Sequence, residues 1–278
     1  MTLLVALSVA WLYGATLQGL LLEWFSSADS SYGIVLAAVA LAVMWRRREA
    51  FARATDPRSN AVTGTTALLL ALGLYMVGQL AADVFLTRIS FVAVLAGAVW
   101  LLAGGRAVRT IAAPLLFLLM AIPLPALVVN AVTLPLQLVA SRIGETTLTA
   151  AGVSVFRDGN LLELPSTTLE VADACSGLRS IVSLAAIGGL LAWTEPSWPR
   201  RLVLLTAGLP IAIVMNGLRI AATGFACEHW SARVAAEPWH TFAGWLTFVV
   251  SVFALVRLQR ALSTTAHRAE WDLNPVQA

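Results

Sequence analysis

Long runs of apolar residues separated by short polar segments dominate the sequence. A membrane-spanning helix needs about 20 mainly apolar residues, and the chain offers eight candidate spans. They cover roughly 3–22, 32–45, 63–81, 89–103, 111–127, 176–193, 202–223 and 240–258. Three prolines in the fifth run predict a kink or an end near Pro123. The pattern predicts an all-α polytopic membrane protein that forms one integral domain over residues 1–278.

The segment 128–174 has a different pattern, which we interpret as too polar and interrupted to cross the membrane. Its first part, 130–151, is moderately amphipathic and predicts a helix lying along the membrane surface. Residues 153–157 and 161–164 then predict two strands joined by an Asp-Gly turn, and 168–171 predicts a third. We therefore expect a short extracytoplasmic β-hairpin segment between the fifth and sixth spans.

Composition supports a membrane location. The chain is 59% hydrophobic and 12% charged, with a mean hydropathy of +0.83, whereas soluble domains carry about 25% charged residues. This excludes a water-soluble fold. The first apolar run lacks the basic start and the cleavage site of a signal peptide, so we expect a retained span.

Charge placement predicts the orientation. All 18 basic residues are arginines, and the net charge is only +3. They are spread over loops rather than clustered, so no nucleic-acid partner is expected. If the N-terminus is cytoplasmic, nine arginines lie in inside loops and three at the inside C-terminal end, namely Arg257 and, in the tail at 259–278, Arg260 and Arg268; six lie outside. Cytoplasmic loops are enriched in arginine, which favours two cytoplasmic termini.

Three chemically reactive residues are predicted to lie at the same outer boundary. Cys175 precedes the sixth span and His240 begins the eighth. Arg219 comes 17 residues after the start of the seventh span, which is about 26 Å along a helix and close to the far edge of a ~30 Å hydrocarbon core. A thiol, a permanent cation and an imidazole at one depth predict an enzyme.

The chemistry of these groups is compatible with acyl transfer. A nearby cation or a helix N-terminus lowers the pKa of a thiol and favours the nucleophilic thiolate. Arg219 offers such a charge or a donor for a developing oxyanion. His240 is suited to accept the thiol proton and pass it to a leaving amine.

Each residue also has a simpler interpretation. Arg219 at a span end is compatible with snorkelling to the headgroups, and His240 beside Trp239 with an interfacial anchor. Cys227 and His229 form a rival pair in what we interpret as a short outer loop. A zinc site built from these cysteines and histidines lacks the usual ligand spacing, so no metal or other cofactor is expected.

The motifs around these residues resemble the exosortase family, which is similar in pattern to archaeosortases. They are A-P-L-L-F-L-L-M-A-I-P-L-P at 113–125, F-R-D-G-N at 156–160, L-E-L-P at 162–165, L-E-V-A-D-A-C-S-G-L-R at 169–179, N-G-L-R-I at 216–220, and His240 followed by Gly-Trp at 244–245. The similarity covers roughly 46–258. Family members often carry Tyr-Ser-His-Gly at the second span, whereas this chain has Ser-Ser-Tyr-Gly at 30–33. This difference leaves the subfamily and its signal motif open.

The resemblance implies a cysteine transpeptidase of the bacterial cytoplasmic membrane, with its site facing the extracytoplasmic side. Its substrates would be exported proteins with a C-terminal sorting signal of the PEP-CTERM type: a short motif, a hydrophobic span and a basic cluster. Cys175 would be the nucleophile, Arg219 the stabiliser of thiolate or transition state, and His240 the general base and acid. Supporting or substrate-positioning roles are expected for Glu170, Asp173, Ser176, Gly177, Arg179 and Asn216.

Two other classes of function stay open at this point. One is a non-catalytic membrane scaffold or transporter with a polar gate, although paired charges deep in the spans, which mark substrate pathways, are lacking. The other is a thiol redox protein that uses both Cys175 and Cys227. Besides exported proteins, membrane lipids are the expected partners in any of these readings.

Overall fold

The polypeptide folds mainly into helices that group in two compact units, Met1–Pro125 and Ala126–Ala278. The structure is a computed structural model that describes residues 2–27, 30–56, 61–171, 177–231 and 239–273. Among the described residues, five helices are long and apolar enough to cross a membrane. These agree with a helical multi-pass membrane protein. The expectation of one integral domain stays a prediction.

The described part of the first unit consists of helices only. They are α1 (Thr2–Ser26), α2 (Tyr32–Ala54), α3 (Ala61–Leu80), α4 (Val84–Ala103), α5 (Gly105–Thr110) and α6 (Ala112–Met120). Asp83 begins α4 by accepting a hydrogen bond from the Leu86 amide at 2.7 Å, which satisfies a donor that the helix itself leaves unpaired.

Glycines allow α3 and α4 to pack with their backbones in contact. A Cβ atom at Gly64 would lie 2.7 Å from the Cα atom of Leu101, and one at Gly97 would lie 2.8 Å from that of Leu68. Side chains at these positions would force the helices apart. The two contacts also show that α3 and α4 run antiparallel.

A charged pair lies inside the first unit. Arg88 of α4 is 9% exposed, and its Nη1 atom lies 2.7 Å from Oε2 of Glu23 on α1. The Ser30 hydroxyl donates to the other oxygen of Glu23 at 3.3 Å. Buried charges persist in proteins when they are paired, so this contact joins α1 to α4.

The second unit is built around one long central helix. Its described elements are α7 (Ala126–Ala150), strands β1 (Phe156–Asp158), β2 (Leu161–Glu163) and β3 (Thr168–Glu170), and helices α8 (Leu178–Thr194), α9 (Trp198–His229) and α10 (Trp239–Leu273). Helix α9 packs against α7, α8 and α10.

Close contacts of glycines give the helix directions in the second unit. A Cβ atom at Gly217 would lie 2.5 Å from Cβ of Ile143, and one at Gly224 would lie 3.0 Å from the Leu148 side chain. Helix α7 therefore runs parallel to α9. A Cβ atom at Gly188 of α8 would lie 2.6 Å from the Leu204 carbonyl oxygen, and one at Gly208 of α9 would lie 3.1 Å from the Leu184 carbonyl oxygen. Helix α8 therefore runs antiparallel to α9.

The three strands form one antiparallel sheet in the order β1-β2-β3. They overlap the segments 153–157, 161–164 and 168–171 that the sequence pattern indicated. Leu162 of the central strand is fully buried and packs with Val171 of the same segment and with Ala140 and Ile220 on α7 and α9. The sheet is therefore anchored on the second unit's helices through one face.

The structure corrects the predicted fifth span and the predicted surface helix. Helix α6 has only 9 residues, about 14 Å, which is too short to cross a ~30 Å core. Residues 126–150, interpreted from sequence as too polar to span, instead form one 25-residue helix that is long and apolar enough to do so. Pro135 lies inside α7, so the proline did not end the helix there.

Candidate active site

Two polar residues of the proposed site project from α9 within one helical turn of each other. Asn216 and Arg219 are three residues apart, a spacing that places side chains on the same face of a helix. Asn216 is 5% exposed, and Arg219 is half-buried. Gly217 between them gives Ile143 of α7 room to pack, which leaves the polar pair directed away from that contact.

Asn216 lies against the turn that begins α8. Gly177 is the N-cap residue of α8 and has a φ of 79°, a left-handed conformation that glycine adopts without steric cost. A Cβ atom there would lie 3.1 Å from Cγ and 3.2 Å from Nδ2 of Asn216. The missing side chain at Gly177 therefore makes room for the Asn216 amide.

Arg219 lies against the first part of α10. A Cβ atom at Gly244 would lie 3.4 Å from Cζ of Arg219 and 3.5 Å from Nη2, so the guanidinium rests on the α10 backbone. Gly244 comes four residues after His240, which is about one turn of helix. The position of His240 is thus one turn from the cation, on the same face of α10.

The segment that carries the proposed nucleophile lies outside the described residues. It covers 172–176 and includes Asp173, Cys175 and Ser176, and the side chain of His240 is likewise outside the description. The roles expected for these residues stay predictions.

The chain on either side of that segment is fixed in the second unit. Before it, Val171 is 2% exposed and its amide donates to the Asn160 carbonyl at 3.0 Å. After it, Gly177 lies against Asn216. Gly177 is two positions after Cys175 in the sequence, so the described chain next to the proposed nucleophile contacts Asn216 of α9.

Glu170 and Arg179 flank this region in exposed positions. Glu170 ends β3, and Arg179 lies in the first turn of α8. Both were expected to support the site, and both are accessible from outside the bundle.

The rival pair of Cys227 and His229 is not brought together. The sequence interpretation placed both in a short loop, which is wrong, because they lie in the last turn of α9. Cys227 is 3% exposed, whereas His229 is exposed and stacks on Phe225 with ring centroids 4.0 Å apart. Residues two apart on a helix point in different directions, which disfavours a shared metal or proton-transfer site.

One structural contact near the site was not found from the sequence. Glu228 at the end of α9 accepts hydrogen bonds from the Ser166 hydroxyl at 2.6 Å and the Ser166 amide at 3.2 Å. This ties the loop between β2 and β3 to α9. The two residues are 62 positions apart, and no local pattern links them.

The fold and this cluster define a class: a multi-pass helical membrane protein with an asparagine and an arginine facing the starts of two further helices. The family model described as Transmembrane exosortase (Exosortase_EpsH) matches residues 24–257. The chain belongs to the transmembrane exosortase family. No curated protein and no solved structure matches it.

Proposed function

We propose that this protein is a membrane cysteine peptidase–transpeptidase that processes C-terminal sorting signals of exported proteins. Cys175 is the nucleophile, Arg219 stabilises the thiolate or the transition state, and His240 transfers the proton. Family membership supports the processing of exported protein substrates. The recognition of PEP-CTERM-type signals and the identity of the catalytic residues belong to the proposal.

The observation that carries the proposal is the convergence of two chain segments on α9. Asn216 packs on Gly177, two residues after Cys175, and Arg219 packs on Gly244, four residues after His240. Segments far apart in sequence thus meet at two neighbouring positions of one helix. A structural arginine at a span end has no need for a glycine on the neighbouring helix, since headgroups and water accept its charge.

The reaction has two balanced steps. The Cys175 sulfur attacks the carbonyl carbon of the scissile peptide bond, and its thiol proton goes to the His240 imidazole. The C–N bond then breaks, His240 returns the proton to the leaving amine, and a thioester remains on Cys175. An acceptor amine, hydroxyl or water attacks the thioester and releases the thiol.

Arg219 and Asn216 have different tasks in this scheme. The guanidinium keeps its proton under all relevant conditions, so it offers a permanent charge and donors to the oxyanion that develops on the substrate carbonyl. We assign Asn216 a positioning role, since its side chain contacts the turn at Gly177, two residues after Cys175. Its buried amide holds that turn against α9.

The proposal includes a location. With both termini in the cytoplasm, the cluster lies toward the extracytoplasmic end of the second unit, in a bacterial cytoplasmic membrane. An exported protein held by its own C-terminal span reaches this boundary directly. The hydrophobic outer surface of α9 and α10 and the surrounding membrane lipids accommodate such a span.

The test is to trap the covalent intermediate. The protein is co-expressed with an exported protein of the same genome that ends in a hydrophobic span and a basic cluster. Mass spectrometry of the purified enzyme is expected to find a thioester adduct on Cys175 and a shortened substrate. The Cys175→Ala variant is expected to insert normally and to yield neither product.

Cys227→Ala is the matched control, because it removes the other thiol of the chain. We expect it to process substrate as the parent does. Processing by Cys175→Ala would contradict the proposal. Equal loss in both variants would favour a redox pair instead.

A further inference from the structure

The free edge of the small sheet next to the proposed site has a defined hydrogen-bonding pattern. In the pairing of β2 with β3, Leu162 lies opposite Leu169 and Leu161 opposite Glu170. The Val171 amide donates to the Asn160 carbonyl, and the Leu164 amide donates to the Thr167 carbonyl. In an antiparallel ladder, hydrogen-bonded pairs alternate with pairs that are not, so Leu169 bonds to β2 as well.

The alternation directs Thr168 and Glu170 outward. Their amides and carbonyls point away from β2, toward the open side of β3, and both residues are exposed. Among the residues that the structure describes, no hydrogen-bond partner is found for these backbone groups. Soluble proteins protect such edges, because an unpaired edge is a template for another extended chain.

The open edge is short and bounded at both ends. On one side, the Ser166 amide is already bonded to the Glu228 carboxylate of α9 at 3.2 Å. On the other side, β3 continues through Val171 into the segment that carries Cys175, five residues after Glu170. What is left open is a stretch of about 7 Å with two donors and two acceptors.

Strand β3 also packs directly against α9, the helix that carries Asn216 and Arg219. Leu169 points to the buried face, where its Cδ1 atom would be 3.4 Å from a Cβ at Gly224 of α9. Asn216 and Arg219 lie on the same helix. The edge of β3 therefore has a fixed position relative to these two residues.

Resting on the proposed function, we infer that the extended segment of the protein substrate binds as a fourth strand on the open edge of β3. Backbone hydrogen bonds to Thr168 and Glu170 would align the substrate and leave its scissile bond near Cys175. Strand addition takes its affinity from main-chain bonds and its specificity from neighbouring pockets. The occupant is the substrate because the edge leads directly into the nucleophile segment.

The test uses a photo-reactive amino acid in place of Thr168, in the Cys175→Ala background so that bound substrate is not consumed. The probe is the co-expressed exported protein with a C-terminal span and basic cluster. We expect irradiation to join position 168 to the segment just before the substrate's span. The same amino acid at Arg157, on the opposite edge strand β1, is the matched control and is expected to give about tenfold less of this product.

A proline substitution tests the backbone hydrogen bonds of the β3 edge separately from its side chains. Glu170→Pro removes only the outward N–H, because the ladder to β2 uses Leu169 and Val171, and proline is tolerated on edge strands. Glu170→Pro removes the hydrogen bond from the amide of residue 170 to the substrate, and the proline ring occupies space on the open side of β3. We expect substrate cross-linking at least about tenfold lower than in Glu170→Ala. Thermal unfolding of both variants checks that the fold is retained.

Three results would overturn the inference. They are equal cross-linking from positions 168 and 157, equal cross-linking in Glu170→Pro and Glu170→Ala, and a product that joins two copies of this protein through position 168. Cross-linking reports substrate binding and not catalysis. Cross-linking at position 168 without any thioester on Cys175 would therefore refute the proposed chemistry but support substrate binding at the β3 edge. A Cys175 thioester without cross-linking at position 168 would support the proposed chemistry and refute substrate binding at the β3 edge.

Discussion

Two arginines inside the helical units are held in contrasting ways. Arg88 of the first unit pairs with a carboxylate on another helix, with 2.7 Å between Nη1 and Oε2 of Glu23. Arg219 of the second unit rests on the backbone of Gly244. The carboxylate of Glu23 joins α1 to α4 through an ion pair. The lack of a side chain at Gly244 instead gives the Arg219 guanidinium room to lie beside the backbone of α10. We expect the first arginine to serve stability and the second to serve chemistry.

The largest effect in this comparison is expected for Arg219→Ala. Removing one donor that stabilises developing charge typically lowers turnover by about 10²–10³-fold, and we expect that loss in substrate processing. Arg219→Lys keeps the charge but loses the planar fork, so it should recover only part of the activity. The measurement is the rate of substrate shortening, with thermal unfolding in detergent as a control for the fold.

If Arg219→Ala unfolded the protein but left the residual folded fraction fully active, the assignment of this arginine to chemistry would be wrong. The two arginines would then have the same structural role.

The next effect is expected for the ion pair of the first unit. Glu23→Gln leaves the Arg88 charge buried without a carboxylate, and breaking such a pair costs about 3–5 kcal/mol when both groups are buried. Since the Glu23 side chain is 35% exposed, we expect about 2 kcal/mol less unfolding free energy. Processing per folded molecule should stay unchanged.

Glu49→Gln is the matched control for Glu23→Gln, because Glu49 pairs with Arg53 on the surface with side-chain exposures of 73% and 78%. Its loss should change the unfolding free energy by less than about 0.5 kcal/mol. Equal destabilisation in both variants would show that burial of the Glu23–Arg88 pair is without consequence.

A smaller effect is expected at the turn that Asn216 holds. Gly177→Ala introduces a Cβ at a left-handed φ of 79° and 3.1 Å from the Asn216 side chain. The backbone strain alone amounts to about 1–2 kcal/mol, and displacement of Asn216 should lower processing as well. Gly189→Ala, in the interior of α8 with no atom within 4 Å of its Cβ position, is the control and should be neutral or stabilising. Equal behaviour of the two variants would remove the special role of the Gly177 turn.

Much of the helical fold follows from the sequence because apolar runs have a clear length requirement in a membrane. The runs at 63–81, 89–103 and 202–223 correspond to α3, α4 and α9. The error concerned α6 and α7, because 111–127 was interpreted as a span and 128–174 as too polar to cross the membrane. Hydropathy alone does not distinguish a short helix before a break from a full span. It also does not show that two polar residues of α7, Gln137 and Ser141, are buried inside the second unit.

The sequence allowed candidate site residues to be proposed, but it did not indicate which contacts hold Asn216 and Arg219 in place. Asn216 and Arg219 lie in one motif, and Gly177 lies two residues after Cys175 in another. That Gly177 faces Asn216 and Gly244 faces Arg219 depends on how three helices pack, and sequence spacing contains no such information. The same holds for Glu228 and Ser166, whose contact depends on where α9 ends.

The most direct test of the central claim is the proximity of Cys175 to position 240 beside Arg219. In a Cys227→Ala background, cysteine is introduced by His240→Cys, and separately by Val250→Cys, which lies about 15 Å further along α10. A disulfide needs Cα atoms within about 7 Å, so mild oxidation, with a short bis-thiol cross-linker for slightly longer separations, should join Cys175 to position 240 and not to 250. Bridging at 250 but not at 240, or at neither position in folded protein, would contradict a common site for the thiol, the guanidinium and the imidazole.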